Sequence, residues 1–206
     1  MLILASASSP RHHLLLQAGI PHKVITSHIK EEDFQASDPN LLVKNLAFAK
    51  ANDVLSRLCK QSSKGKEGIS TIVLGCDSIF QFRKEIFGKP HNQEQAIERW
   101  ERMSANSGYL ITGHVLLYQS GHQKKHEEKI YTRSTEGVIK TRVTFSNLTT
   151  QEIKDYVMTE EPLNCAGGFA LEGKGGMLIE SIEGCYSNVI GLSLPWLRKS
   201  LQEIQS

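Results

Sequence analysis

Several short motifs in this sequence combine residue types that bind phosphate or move protons. The run Ser6-Ala7-Ser8-Ser9-Pro10-Arg11 stands between a short apolar segment and a helix-start signal. Free backbone N–H groups at a helix start, together with hydroxyls and a guanidinium, suit phosphate oxygens. A plain helix cap with a surface arginine explains the same residues, and this motif alone favours that simpler interpretation.

Two further motifs add a carboxylate and an ammonium. Asp77 follows the apolar run 71–74 and a glycine, and a carboxylate at the carboxyl end of a strand is well placed to bind a metal or act as a general base. A turn Asp that caps the next segment is the alternative. In Gly88-Lys89-Pro90 the glycine and proline fix the backbone, so that Lys89 would offset phosphate charge in a transition state. A solvated turn lysine is the alternative there.

Acidic residues elsewhere indicate a divalent cation. The run Glu31-Glu32-Asp33 precedes a long helical segment that carries Lys50. Hard cations such as Mg²⁺ and Mn²⁺ prefer oxygen ligands, although an acidic loop is usually just solvated. His122 and His126 are four residues apart in a polar run, which we interpret as a solvated turn and not as a metal site.

A glycine-rich stretch, residues 165–176, carries Glu172 and permits close backbone approach to a ligand or a tight hairpin. Its Lys174-Gly175 pair does not form a P-loop, because the G-x-x-x-x-G-K-[ST] spacing is absent from the whole sequence. Kinases and P-loop NTPases are therefore disfavoured.

The elements that must position these residues alternate irregularly along the chain. Hydrophobic periodicity predicts strands at residues 2–5, 23–26, 71–74, 79–82, 85–87 and 109–119, one or two more within 130–145, and a glycine-rich strand pair at 168–171 and 177–182. Periodicity and caps predict helices at 8–19, 39–59, 93–103 and 149–159, and a last helix from 187 that is broken at Pro195. A hydroxyl cap is expected at Ser8-Ser9, and Thr149, three residues before Glu152, is expected to form a capping box. The polar run 60–68 is expected to be a surface loop. This order predicts an α/β fold with a mixed, twisted sheet and flanking helices, and it argues against a regular doubly wound fold.

Bulk properties restrict the class of protein. A chain of 206 residues supplies one substantial core, so we expect a single domain over residues 1–206. The net charge of +2 argues against general binding to nucleic acid or to anionic membranes. Four distant cysteines without a CxxC pair indicate reduced thiols. No signal peptide and no run of roughly 20 apolar residues is evident, so we expect a cytoplasmic protein without a membrane or nucleic-acid partner.

The order of the motifs is more specific than any one of them. The following residues occur in sequence: Leu4-Ala5-Ser6-Ala7-Ser8, Arg11, Glu31, Lys50-Ala51, Gly75-Cys76-Asp77, Gly88-Lys89-Pro90, Thr112-Gly113, Glu161-Pro162, Cys165-Ala166-Gly167, Ser187-Asn188 and Gly191-Leu192. Together they resemble the Maf family of nucleotide pyrophosphatases over nearly the whole chain. The resemblance implies a mixed α/β fold of the Maf/ITPase type, with two lobes around a central cleft, and usually a homodimer.

The same resemblance implies an activity and roles for individual residues. The activity is hydrolysis of a nucleoside triphosphate to the monophosphate and pyrophosphate with Mg²⁺ or Mn²⁺, which clears noncanonical or excess nucleotides. Asp77 matches the catalytic base. The residues that match phosphate-binding or metal-binding positions are Ser6, Arg11, Glu31, Lys50 and Lys89, with Glu31 and Asp77 as the metal ligands.

Three positions bear on the choice of base. The branch of the family that resembles dTTP/UTP hydrolases tends to carry Asp-Thr after the strand and Gln in the glycine-rich hairpin, whereas this chain has Ser78 and Glu172. Glu172 favours the 7-methyl-GTP branch, because a carboxylate accepts hydrogen bonds from guanine N1–H and N2–H₂. That branch often has an aromatic residue after the proline of the first motif. Here Arg11 and His12 follow Pro10, so no aromatic ring stands there to stack on a cationic base.

Two other functions remain open at this stage. A non-catalytic regulator of cell division that binds a nucleotide would be expected to lack Asp77 or Lys89, and both are present. A phosphatase that releases orthophosphate would need the same residue types, and only the identity of the product separates it from a pyrophosphatase.

Overall fold

The computed structural model describes residues 1–62, 70–120, 131 and 133–205. The predicted surface loop at 60–68 falls largely outside the described residues, as do His122 and His126. None of the helices in the described part of the chain combines the length and the apolar character that a membrane span requires.

Seven strands form one mixed sheet. They are β1 (Leu2–Leu4), β2 (His22–Val24), β3 (Thr71–Phe82), β4 (Glu85–Phe87), β5 (Ser107–Gln119), β6 (Arg133–Phe145) and β7 (Ile179–Glu183). The order is β2-β1-β3-β5-β6-β7, with β4 paired to β3. Strand β1 runs parallel to β2 and β3, whereas β4 and β7 are antiparallel to β3 and β6. The predicted α/β fold with a mixed sheet and flanking helices is confirmed, and the cleft between two lobes stays a prediction.

Six α-helices accompany the sheet in the described residues. They are α1 (Ser9–Gln17), α2 (Pro39–Ser62), α3 (Gln93–Met103), α4 (Thr150–Val157), α5 (Tyr186–Ile190) and α6 (Leu194–Gln205). Short 3-10 turns occur at Glu31–Asp33, Glu161–Asn164, Ala166–Gly168 and Lys174–Leu178. Two helix starts follow the predicted caps: the Ser8 side chain accepts the N–H of Arg11, and Thr149 forms a capping box with Glu152.

The chain divides into two compact units. The first comprises Met1–Asp77, Gly113–Val138 and Leu192–Ser206, and the second comprises Ser78–Thr112 and Ile139–Gly191. The first unit has an aliphatic core of Ile3, Ala5, Ala47, Ala51, Val54, Leu55, Val73, Val115 and Leu117. The second has an aromatic core that includes Phe80, Phe82, Trp100, Phe145, Tyr156 and Phe169. Strands β3, β5 and β6 contribute residues to both units.

Helix α2 packs directly on two strand glycines of the first unit. A Cβ at Gly75 in β3 would overlap the carbonyl oxygen of Ala47, and one at Gly113 in β5 would overlap the carbonyl of Val43. No side chain can therefore separate the helix backbone from the sheet. Lys50 lies three residues after Ala47, and Asp77 shares a strand face with Gly75. The close approach thus brings Lys50 onto Asp77.

Asp77 was predicted at the end of a strand, and this is wrong. Strand β3 is twelve residues long and continues past Asp77 to Phe82. Its register with β1 ends at Leu74, whose carbonyl accepts the N–H of Ala5, so Asp77 lies beyond the part of β3 that β1 covers. Gly75 and Asp77 interrupt the apolar pattern of the sequence without ending the extended backbone. Gly75 is required by the close packing of α2, and Asp77 pairs with Lys50.

The predicted strand at residues 168–171 is also wrong. Gly167 and Gly168 have φ values of 76° and 75° in a 3-10 turn that ends at Gly168, and residues 169–171 belong to no strand. Left-handed backbone of this kind is available to glycine at little cost but does not continue a strand. The partner prediction at 177–182 overlaps β7, which pairs with β6.

The break in the last helix falls earlier than predicted. Gly191 adopts a φ of 116° after α5, and α6 begins at Leu194. Pro195 consequently stands in the first turn of α6, where its missing N–H removes no helical hydrogen bond.

A carboxylate holds the glycine-rich segment of the second unit in its turns. The side chain of Glu161 accepts hydrogen bonds from the N–H groups of Lys174 (3.0 Å) and Gly175 (2.9 Å) and from the hydroxyl of Tyr156 (2.7 Å). Partial burial acts to raise the pKa of Glu161, but the donors at Gly175, Tyr156 and Lys174 outweigh it and hold that pKa below its usual range.

We expect Gly75→Ala to lower the free energy of unfolding by about 2 kcal/mol, because the new methyl group must push the backbone of α2 off the sheet. Chemical denaturation measures the change. Gly88→Ala is the matched control, since an added Cβ there meets nothing within 4 Å. Equal stability of the two variants would contradict the close packing of α2 on β3.

A second prediction concerns the pH dependence of stability. Because the pKa of Glu161 is lower in the folded protein than in the unfolded chain, its ionised form stabilises the fold above the unfolded value of about 4.3. That contribution is lost as the pH falls through the folded pKa. The loss of unfolding free energy in Glu161→Gln, relative to wild type, should therefore be largest near neutral pH and shrink in acid. Denaturant titrations over this pH range measure it.

Glu160→Gln removes the same charge from the exposed neighbouring residue and serves as the control. If the deficit of Glu161→Gln were constant from neutral pH into acid, the carboxylate would not be the stabilising species.

Candidate active site

Three residues that carry a formal charge are buried in the described part of the chain, and all three belong to the first unit. Arg11 is 8% exposed, and Lys50 and Asp77 are 7% exposed each. Removing a charge from water costs several kcal/mol unless a partner compensates it. Buried charges gathered in one place, with partners that shift their protonation, are characteristic of functional sites.

Lys50 links two carboxylates. Its Nζ donates to Asp77 Oδ1 at 2.6 Å and lies 2.7 Å from Glu31 Oε1. The three side chains come from α2, from β3 and from the 3-10 turn Glu31–Asp33. The Glu31 side chain is 61% exposed, so the group extends from a buried aspartate through the ammonium to solvent.

The burial of Asp77 favours proton uptake by its carboxylate. Burial raises the pKa of its carboxyl above the usual range, although the charges of Lys50 and Arg11 act to lower it. Glu31 adds to the rise. A carboxylate whose pKa is moved upward is a better proton acceptor near neutral pH than an exposed aspartate.

Arg11 and Ser6 lie at the start of α1. The guanidinium Nη1 donates to Ser6 Oγ at 3.1 Å, and the same hydroxyl accepts the N–H of Ser8 at 3.2 Å. The charge of Arg11 acts on both Asp77 and Cys76, which places it within electrostatic range of the buried carboxylate. The start of a helix, a hydroxyl and a guanidinium together form a suitable anion site.

The cysteines are thiols in the structure. All four are free, as the sequence predicts. Burial raises the pKa of Cys76 to about 11, although Arg11 and Lys50 act in the opposite direction. Cys76 therefore stays protonated and takes no part as a nucleophile.

The remaining predicted site residues are distributed differently. Pro10 is half-buried in the first turn of α1. The other three belong to the second unit. There Ser78 Oγ lies 2.9 Å from Thr112 Oγ1, while Lys89 and Glu172 are exposed.

Lys89 and Glu172 share one electrostatic neighbourhood in the second unit. Burial raises the pKa of Cys165 to about 11, the negative charge of Glu172 adds to the rise, and Lys89 opposes it. The turn that carries Lys89 is fixed at Gly88, whose carbonyl accepts from Arg99 Nη1 at 2.8 Å and from the N–H of Gly167 at 3.3 Å.

The structure thus brings together five of the predicted site residues, namely Ser6, Arg11, Glu31, Lys50 and Asp77, whereas Lys89, Ser78 and Glu172 lie in the other unit. The catalytic and binding roles of all of them stay predictions. Sequence reasoning assigned no role to Tyr156, Glu161 or Arg99. The donors and acceptors of these three include backbone groups, which leave no mark in the residue pattern.

The donor set of this site fits a divalent cation. The described residues contain no group of three or more His, Cys, Asp or Glu side chains that could hold a metal by themselves. However, Mg²⁺ typically binds through one or two carboxylates together with substrate phosphates and water. Glu31 and Asp77 already share one cation, since the ammonium of Lys50 stands between them.

Comparison with known proteins identifies the family to which this chain belongs. A family model described as Maf-like protein matches residues 1–204. A protein of Prochlorococcus marinus (strain NATL2A) is 48% identical over 205 residues, which cover 98% of this chain and 95% of the relative. One of Parasynechococcus marenigrum (strain WH8102) is 50% identical over 203 residues, 98% of this chain and 95% of the relative.

A third relative, from Synechococcus sp. (strain CC9605), is 49% identical over 199 residues, 97% of this chain and 100% of its own length. All three relatives are named nucleoside triphosphate pyrophosphatase, which is a hydrolase. The similarity covers nearly the whole chain, so the predicted enzyme family is confirmed. This chain belongs to the Maf family.

Proposed function

We propose that this protein hydrolyses a nucleoside triphosphate to the nucleoside monophosphate and pyrophosphate. The observation that carries the proposal is the burial of Arg11, Lys50 and Asp77 within one cluster. Burying these charges costs several kcal/mol of desolvation, so the cluster is not explained by a gain in stability. It does supply the proton acceptor and the cations that cleavage of a phosphoanhydride needs. The names of the relatives support the same reaction.

Asp77 accepts the proton of the attacking water. A new bond forms between the water oxygen and the α-phosphorus, and the bond from that phosphorus to the bridging oxygen breaks, so pyrophosphate leaves with the bonding electrons. Oδ1 of Asp77 is held by Lys50, and we assign proton uptake to Oδ2. The proton then passes to solvent, and the carboxylate is restored for the next turnover.

The cationic groups offset the charge of the triphosphate. Arg11 and the hydroxyl of Ser6, at the start of α1, bind phosphate oxygens. Lys50 stabilises charge that develops on the leaving pyrophosphate, and Lys89 carries the same assignment by its place in the family motif. Glu31 and Asp77 would hold Mg²⁺ or Mn²⁺, which supplies further neutralisation of the phosphate charge when bound.

For the base we propose guanine, with 7-methyl-GTP as the preferred substrate. The support is chemical: the carboxylate of Glu172 accepts hydrogen bonds from N1–H and N2–H₂ of guanine, which pyrimidines lack. Ser78 and Pro10 occupy the other two positions that differ between the branches of the family. Pro10 is followed by Arg11 and not by an aromatic ring, so recognition of the guanine ring falls mainly to Glu172.

We expect Asp77→Asn to lower the rate of pyrophosphate release by about a thousandfold, because the amide keeps the shape and the contact to Lys50 but cannot take up a proton. Steady-state assays with Mg²⁺ or Mn²⁺ measure the rate. Asp155→Asn makes the same change of charge at an exposed position of α4 and should leave the rate unaltered.

Pyrophosphate release by Asp77→Asn at the wild-type rate would end the assignment of Asp77. The wild-type assay should be run on 7-methyl-GTP, GTP, dTTP and UTP, with the product identified. Orthophosphate as product would indicate the phosphatase, and nucleotide binding without turnover would indicate the non-catalytic regulator. Preference for dTTP or UTP would refute the base assignment alone.

A further inference from the structure

Tyr156 and Glu161 form a hydrogen-bonded pair, here called the Tyr156–Glu161 clamp, that grips the backbone on both sides of Glu172. Before Glu172, the hydroxyl of Tyr156 accepts the N–H of Ala170 at 3.2 Å. After it, the carboxylate of Glu161 accepts the N–H groups of Lys174 at 3.0 Å and Gly175 at 2.9 Å. The two side chains are joined by the hydroxyl-to-carboxylate bond of 2.7 Å.

The two side chains of the clamp pack directly against the glycines of the segment that they bind. A Cβ at Gly173 would overlap the carboxylate of Glu161, and one at Gly175 would overlap the hydroxyl of Tyr156. The backbone of the segment therefore lies directly on the two side chains. Because residues 168–171 form no strand, these side chains replace the ladder hydrogen bonds that a strand would have provided.

The clamp is itself anchored in the core of the second unit. Tyr156 is buried in α4, and its ring packs edge-on against Trp100 with centroids 5.2 Å apart. The Nε1–H of Trp100 in turn donates to the carbonyl of Gly168 at 2.8 Å. The segment around Glu172 is thereby tied to the aromatic core of the second unit, and Glu172 itself remains exposed.

We infer that the Tyr156–Glu161 clamp is a positioning device for Glu172 and so determines how strongly the enzyme discriminates between bases. This inference rests on the proposed function, in which Glu172 contacts the base. Hydrogen bonding to a base edge requires the carboxylate to be held within a fraction of an ångström, and a carboxylate on a loosened loop loses that selectivity. The clamp touches neither substrate nor the reacting atoms, so Tyr156 and Glu161 are positioning residues.

Tyr156→Phe is the most informative variant, because it removes both hydrogen bonds of the hydroxyl and keeps the ring against Trp100. We expect the ratio of kcat/KM for 7-methyl-GTP to that for UTP to fall about tenfold. The fall should come mainly from a higher KM for 7-methyl-GTP, with kcat for UTP within about twofold of wild type. Glu172→Gln, which alters the base contact itself, should lower the same ratio at least as much.

Two replacements of Glu161 should lower the ratio of kcat/KM by different amounts. Glu161→Gln retains one acceptor oxygen and should lower the ratio less than Glu161→Ala, which retains none. Tyr186→Phe removes an exposed hydroxyl in α5 and serves as the control with an unchanged ratio. Thermal unfolding of each variant separates loss of fold from loss of selectivity, and Glu161→Gln carries the test if Tyr156→Phe does not fold.

The outcomes separate the two proposals. An unchanged ratio in a folded, active Tyr156→Phe variant, or equal losses on all four nucleotides, would overturn the positioning role and leave the proposed function intact. Absence of pyrophosphate release by the wild type from every nucleotide would overturn the proposed function and the clamp's role with it.

Discussion

The ammonium of Lys50, placed between Asp77 and Glu31, is the interaction on which the candidate active site depends. An isolated charge at this depth would cost several kcal/mol, and the two contacts of 2.6 Å and 2.7 Å compensate it. The contacts exist because α2 lies on β3 without intervening side chains, at Gly75 and Gly113. A packing constraint between a helix and a sheet thus sets the electrostatics of the proposed catalytic carboxylate.

In the second unit, too, buried or partly buried polar side chains hold a functional candidate in place. The glycine-rich segment of this unit lacks strand pairing, and a carboxylate and a phenol supply the missing acceptors for its backbone N–H groups. In both units a charged side chain holds an acidic residue in place: Lys50 contacts Asp77 directly, and Glu161 binds the backbone of the segment that carries Glu172. In the proposed function, the first arrangement would serve the chemistry of the phosphate chain and the second would serve recognition of the base.

Local signals in the sequence predicted the parts of the fold that local interactions determine. The caps at Ser8 and Thr149 and the bounds of α3 are of this kind. The continuation of β3 through Asp77 could not be predicted, because Gly75 is required by tertiary contact with α2 and reads as a strand end. The turns at Gly167 and Gly168 depend on positive φ values. Glycine permits such values, but its presence in a sequence does not show that the backbone adopts them.

The candidate site was predictable as a set of residues and not as a geometry. Lys50 and Asp77 are 27 positions apart, and their residue types alone do not show that one ammonium joins two carboxylates.

A double-mutant cycle of Lys50→Met and Asp77→Asn, measured on the rate of pyrophosphate release, tests most directly whether the two residues act as one unit. The account predicts that Lys50→Met slows Asp77→Asn by a smaller factor than it slows the wild type, because part of the effect of Lys50 acts through Asp77. Losses that multiply would contradict it.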